Sequence, residues 1–315
     1  MSHFQTLAAA SFAAVAAAMI PTSFTPSGKP IYEAPSGSLV LQNDTDMLVY
    51  APNGTLLHVF GRQSSSLYRP SAANVDQVYV NLGANHTLQS FNATLIVPPL
   101  PTTFDSQLIY FTQGIMMFDE SGSPEVFLGG GFQYGRDSLT SGPFYKGFLF
   151  AEDLGVENPD YPFVYGGMKL NVGDTLKISL TYQGITTAPG SPPYYRYMGE
   201  FFGPGPEDRI ALGFVQPVLP GTIAFRVEEA GVSKSSDYPA GPLVLKDVNV
   251  ELTAGLSDVR WEFEGSPKTD IECEVVKDGS RDAEIRVHFP GAEDTGATSF
   301  EYVSQERFEM YRHQN

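Results

Sequence analysis

Cysteine is almost absent: Cys273 is the only one in 315 residues. No intramolecular disulfide can form, so stability has to come from packing. A lone cysteine in an exported chain is most simply a buried, inert apolar residue. Basic residues are also scarce, with 19 Lys and Arg against 36 Asp and Glu and a formal charge of −17. No two of the basic residues are adjacent. Phosphate recognition relies on clustered cations, which excludes nucleic acid as a partner and argues equally against anionic membranes. The acidic balance suits an acidic medium. No apolar run reaches the roughly 20 residues of a membrane-spanning helix. Catalytic signatures are missing too. There is no H-E-x-x-H, no His pair at i and i+4 and no Cys cluster, so no metal is expected. No G-x-S-x-G elbow anchors a serine nucleophile. Gly129-Gly130-Gly131 has no following Lys or helix and marks a bend or a close backbone approach, not a phosphate cradle. No cofactor is expected.

What is present begins with Leu7–Ile20 (LAAASFAAVAAAMI), uncharged and mostly alanine. Its length and small residues fit a secretory signal peptide over 1–20 with an Ala-x-Ala exit near Ala16–Ala18, although no Lys or Arg precedes it. Four N-x-[ST] sequons follow, at Asn43, Asn53, Asn85 and Asn92, and none later. Together these features predict a secreted or secretory-lumen glycoprotein carrying N-glycans on its first hundred residues.

The remaining pattern is β. Ser38–Gln42 and Asp46–Tyr50 alternate at period two, and Leu56–Phe60 returns across the Pro52-Asn53-Gly54 turn. From Gln77 to Phe289 short apolar runs recur between Gly/Pro turns, with no amphipathic helix. The expectation is an all-β, antiparallel concanavalin A-like (jelly-roll type) sandwich with an N-terminal hairpin. Its parts would be a hairpin segment over 36–75, a sandwich over 76–290 and a tail over 291–315. The segment Thr186–Tyr197 (TTAPGSPPYYRY) reads as a long loop, a lid over one edge.

The series LIYFTQG (108–114), VFLGGGFQYG (126–135), KLNVGDTLKISL (169–180), AFRVEEAGVSKSSDYPAG (224–241) and DVRWEFE (258–264) resembles a group of fungal secreted proteins. These share the concanavalin A-like sandwich of the glutamic peptidases, the eqolisins. The resemblance covers about residues 85–290. It implies a Gln and a Glu on the concave sheet as the water-activating dyad. Aligned here, the Gln position falls at Gly129, with Gln133 two pairs away on the same face. The Glu position falls at Ala224 or at Glu228. The dyad is therefore expected not to be retained in its usual place.

Period two groups Ile109, Phe111 and Gln113 on one face, then Phe127, Gly129, Gly131 and Gln133, then Phe144, Lys146, Phe148 and Phe150. If these faces form the groove, its apolar wall is Phe111, Phe127, Phe148 and Phe150, with Gln113 as a polar contact. Met116, Met117, Phe118, Tyr194, Tyr195 and Tyr197 would close it. Apolar walls with a few placed polar groups describe a small-molecule pocket. The same rings could instead fill the core between the sheets. Three functions follow. The leading one is an apolar small-molecule pocket, extending to a cofactor-free cyclase or isomerase of the Diels–Alderase type in secondary-metabolite biosynthesis. There Gln133 and Lys146 would polarise a carbonyl, Glu228 would complete the catalytic set, and orientation would supply most of the acceleration. The second is a divergent acid peptidase pairing Glu228 or Glu200 with Gln133. The third is a glycan-binding module without catalysis. Whether the chain is an enzyme stays open at this point.

Overall fold

Alternating apolar and polar residues become extended chain throughout. The computed structural model describes residues 19–24, 30–42, 46–61, 74–82, 87–105, 107–118, 124–136, 141–153, 163–187, 193–205, 208–216, 219–253 and 259–291. Among them are nineteen strands, one 3-10 turn (Ser235–Asp237) and no α-helix. The first strands are β1 (Ser23–Phe24), β2 (Pro30–Glu33), β3 (Ser38–Gln42), β4 (Asp46–Tyr50), β5 (Leu56–Gly61), β6 (Asn74–Asn81) and β7 (Leu88–Ile96). The middle of the chain supplies β8 (Leu108–Phe118), β9 (Pro124–Arg136), β10 (Ser141–Asp153), β11 (Phe163–Leu170), β12 (Thr175–Thr186) and β13 (Tyr194–Phe202). The remainder are β14 (Arg209–Gln216), β15 (Pro220–Ala230), β16 (Leu243–Leu252), β17 (Glu262–Glu264), β18 (Glu272–Lys277) and β19 (Ala283–His288).

These strands form two sheets, an antiparallel β-sandwich. Sheet A runs β1-β2-β11-β10-β9-β8-β15-β6-β17, and sheet B runs β18-β19-β16-β7-β12-β13-β14-β3-β4-β5. Two junctions are parallel, β2 with β11 and β3 with β14. Through them the N-terminal strands extend both sheets. The β4–β5 hairpin forms around its predicted turn, where Gly54 takes φ 82 and its N–H bonds the Ala51 carbonyl at 2.8 Å. Because β3 pairs with both β4 and β14, the hairpin is continuous with sheet B.

The two sheets differ in patterning. In sheet B, β12 buries Leu176, Ile178 and Leu180 completely and turns Lys177 and Ser179 outward. That is the signature of a sheet with one wet face. In sheet A, β8 and β15 are buried along nearly their whole length, on both faces. The inner face contributes Phe111, Ile115, Leu128, Phe132 and Phe225 to the main core, which sheet B completes with Phe91, Ile178, Leu180, Phe201 and Phe214. Trp261 closes one end, its ring 5.5 Å from Phe225 and 6.0 Å from Phe91.

Several expectations change. Met116, Met117 and Phe118, expected to close the groove, are the end of strand β8. The loop over Thr186–Tyr197 is shorter than expected: β12 ends at Thr186 and β13 begins at Tyr194, so the connection is confined to 187–193, of which 188–192 lie outside the described residues. Of DVRWEFE (258–264), only Glu262–Glu264 is strand, and Trp261 directly precedes it. The signal-like segment up to residue 18, the sequons at Asn43 and Asn85, and residues 292–315 of the expected tail lie outside the described residues.

A polar clasp ties the turn after β15 to the chain before β8. Asp237 is fully buried and accepts from Thr103 Oγ1 at 2.5 Å, Ser233 N at 3.0 Å and Lys234 N at 3.2 Å. Burial pushes its pKa up, but these donors outweigh it and hold the carboxyl below its ordinary value.

Candidate functional site

The outer face of sheet A, turned away from sheet B, is where burial exceeds what a sandwich requires. Register places the outward residues of five strands in cross-strand rows. One row reads Lys169, Lys146, Gln133, Tyr110, Glu228 across β11, β10, β9, β8 and β15. The next reads Gly167, Phe148, Gly131, Thr112, Arg226 and continues to Gln77 on β6. The third holds Phe150, Gly129, Gly114 and Ala224. The fourth holds Phe127, Met116 and Thr222.

An aromatic cluster fills the last three rows. Phe127, Phe148, Phe150 and Met116 are buried, with Tyr110 and Phe118 against them. The Phe127 and Phe150 rings are 5.4 Å apart, Phe148 and Phe150 5.3 Å, and Tyr110 and Phe148 5.9 Å edge to face. Phe127 lies down over the glycine floor. A Cβ on Gly129 would come within 2.9 Å of its ring, and one on Gly114 would come closer still. Glycine is required there because only a side-chain-free floor lets the ring lie flat.

Beside this cluster sit the charged groups. Arg226 is only 9% exposed. Its Nη2 donates to Glu228 Oε1 at 2.9 Å, and its guanidinium carbon stands 4.8 Å from the Phe127 ring centroid. Glu228 keeps about a fifth of its side chain exposed. At the far side Lys169 Nζ lies 4.8 Å from the Phe144 ring centroid. No grouping of three or more His, Cys, Asp and Glu suited to a metal ion occurs among the described residues.

The structure therefore brings Gln133, Lys146 and Glu228 into one row, and Phe127, Phe148 and Phe150 into one cluster next to it. It separates Phe111, Gln113, Met117 and Tyr195 from them. Phe111 and Met117 face inward and are completely buried, Phe111 with its ring 4.9 Å from Phe132. Gln113 also faces inward and donates from Nε2 to the Phe91 carbonyl at 3.1 Å. The cause is register: Tyr110, not Phe111, pairs with Gln133. Because β8 is apolar on both faces, period two could not tell which face was which. Tyr195 is on β13 in the opposite sheet, as is Tyr197, whose hydroxyl bonds the Leu88 carbonyl at 3.4 Å. Glu200 is on β13 as well and pairs with Arg209. The sequence reading missed Arg226 and Tyr110. The period-two pattern of Phe225-Arg226-Val227-Glu228 already put Arg226 and Glu228 on one face.

Gly129 and Ala224 share a row with Gly114 between them, and Gln133 and Glu228 share a row with Tyr110 between them. The second row lies four residues further along both strands. Burial pushes the Cys273 thiol up to about 12, which disfavours its nucleophilic thiolate form. Of the sequons within the described residues, Asn53 is exposed in the β4–β5 turn, and Asn92 is half-buried on β7.

No family model matches the chain, and no curated protein matches it. Solved structures similar to it include a scytalido-glutamic peptidase with a peptide-based transition state analog, at 13% identity and a TM-score of 0.45. Another is SCP-B, a member of the eqolisin family of peptidases, in complex with the tripeptide Ala-Ile-His, at 12% identity and 0.44. A third is scytalido-glutamic peptidase with a transition state analog inhibitor, at 11% identity and 0.43. Each similarity covers 69% of this chain and 98% of the other. The likeness is one of strand arrangement, and the chemistry of the outer face is a matter of this chain's own residues.

Proposed function

We propose that the outer face of sheet A binds an apolar small molecule, with Phe127, Phe148, Phe150 and Met116 as its walls. One observation carries this reading: a second aromatic cluster, separate from the main core, on the face of sheet A that sheet B does not cover. The rings pack on one another, so a ligand would enter by displacing Phe127 from the Gly114–Gly129 floor. Burying about 200 Å² of apolar surface gains about 5 kcal/mol, much of which the cost of association offsets. Useful affinity therefore needs a polar anchor as well. The test is saturable binding of the neutral fluorophore N-phenyl-1-naphthylamine. One-site binding, weakened about tenfold or more by Phe148→Ala, is the expected result. Non-saturable binding, or affinity indifferent to that change, removes the reading. A cofactor-free cyclase would use the same face, with Gln133 and Arg226 donating to an activated carbonyl. It requires accelerated closure of an intramolecular Diels–Alder probe, lost in Gln133→Leu. A rate no higher than background leaves binding without catalysis.

The Gln133–Tyr110–Glu228 row favours a second reading. Adjacent strands lie about 4.8 Å apart, so Gln133 and Glu228 stand on backbones about 10 Å apart. Two long side chains at that spacing can hold a water between them for acid hydrolysis of an amide. Digestion of an unfolded protein at acidic pH, compared with Glu228→Gln, decides it. Unchanged cleavage by the variant, or none by the native chain, ends this alternative.

A further inference from the structure

The first described residue makes a specific contact between the two sheets. Strand β2 lies next to one end of sheet A, and β5 is the last strand of sheet B. Their side chains meet: the Tyr32 ring stands 4.8 Å from Phe60 and 5.8 Å from His58, which itself lies 4.1 Å from Phe60. Met19 reaches this seam. Its side chain packs against the main core, and its backbone nitrogen donates to His58 Nδ1 at 3.2 Å. Such a bond requires a neutral imidazole with its proton on Nε2. Burial lowers the His58 pKa and so favours that state. Ile20, the next residue, is exposed.

The alanine run offers the Ala-x-Ala exit in two neighbouring places, Ala14–Ala16 and Ala16–Ala18. A cut after Ile20 would instead put a large branched residue where the exit takes a small one. Only a cut after Ala18 turns the nitrogen that meets His58 into a chain terminus. We propose that export cleaves the bond between Ala18 and Met19, and that the α-ammonium released docks on His58 in the seam between β2 and β5. An export peptidase adds water across that bond, leaving a carboxylate on Ala18 and an amine on Met19. The proposal rests on the signal-peptide expectation and is independent of any ligand on the outer face. It moves the expected boundary from residue 20 to residue 18. A backbone amide brings one donor to His58, whereas an ammonium brings three and a charge, and hydrogen bonds from charged donors are the stronger kind. Processing therefore tightens the seam.

The experiment expresses the full chain in a eukaryotic secretory host and sequences the N-terminus of the protein recovered from the medium. Met19 is the expected first residue. A chain beginning at Ala17 or Pro21 overturns the proposal while leaving export standing, and an uncut chain retained in the cell overturns both. Docking is read from the rate at which a limiting activated acetyl ester acylates the α-amine at neutral pH, followed by the mass of the N-terminal peptide. The bond to His58 holds the amine in its charged, unreactive form. His58→Leu is expected to speed acylation about tenfold. His58→Gln, whose amide oxygen still accepts, is expected to keep part of the protection. His58 is half-buried on an edge strand, so both variants are expected to fold. A rate unmoved by His58→Leu overturns the docking.

Discussion

Glu228 and Glu229 are chain neighbours on β15 that face opposite sides of sheet A. Glu228 meets Arg226 on the outer face, while Glu229 is buried, accepting from Asn74 Nδ2 at 3.1 Å. Burial is the main cause that raises the Glu229 pKa; the Tyr238 and Asn74 hydrogen bonds lower it and the nearby Asp76 carboxylate adds to the rise. Asp76, itself buried and bonded to Ser266 N and Thr269 Oγ1, is raised by desolvation as well. Two adjacent acidic residues thus have unlike environments, and the pleat alone separates them.

The core acids make stability pH-dependent. A carboxyl whose folded pKa is raised holds its proton more tightly when folded. Its contribution is complete below the ordinary values of 3.8 for Asp76 and 4.5 for Glu229, and it is lost as pH rises through the folded values. Glu229→Gln is therefore expected to flatten the fall in melting temperature above about pH 4.5. A variant whose pH profile runs parallel to that of the native chain contradicts this.

Asp237 acts in the opposite sense. Its folded pKa is depressed, so its contribution is present above the ordinary 3.8 and lost as pH falls through the folded value. Asp237→Asn is expected to cost about 2–3 kcal/mol at pH 7, with the difference from the native chain narrowing in acid. Urea titrations at pH 7 and pH 3 measure it. An equal cost at both pH values would argue that the clasp does not depend on charge.

The glycine floor predicts a steric cost. A Cβ at Gly129 would sit 2.5 Å from the Gln113 carbonyl oxygen, a backbone atom that cannot step aside cheaply. Gly129→Ala should destabilise by about 1–3 kcal/mol and weaken naphthylamine binding by disturbing Phe127. Stability equal to that of the native chain would mean that the strands part more easily than their register implies.

Inward and outward residues should separate by readout. Phe111→Ala opens a hole in the main core and is expected to cost about 3–5 kcal/mol. Gln113→Met replaces one buried hydrogen bond by apolar packing, so a change within about 1.5 kcal/mol is expected. Its probe affinity should match the native value. A large loss of binding in Gln113→Met would return that residue to the site.

Export can be checked at Asn53. Its side chain accepts from Thr55 N at 3.0 Å in an exposed turn. When the full chain is expressed in a eukaryotic secretory host, glycosidase treatment should lower its apparent mass. Asn53→Gln should remove part of that shift. Retention in the cytosol with no shift would sink the exported-glycoprotein reading.

Strand positions and the sandwich were legible because short apolar runs between Gly and Pro turns admit little else. Alternation placed β3, β4 and β5 to within a residue. It also set Gln133 with Phe127, and Lys146 with Phe148 and Phe150, since those strands carry glycine or charge on one face as markers. It failed on β8, where both faces are largely apolar and the two polar residues, Thr112 and Gln113, fall one on each face.

Composition determined this protein's reliance on packing, its acidity and its all-β character, because those depend on residue type and local spacing alone. Which way Phe111 and Gln113 point, the alignment of Gln133 with Tyr110 and Glu228, and the stacking of Arg226 over Phe127 were decided by the pairing of strands far apart in the chain. A shift of one residue in that pairing would exchange core for surface along the whole of β8, and no property of the isolated segment forbids it.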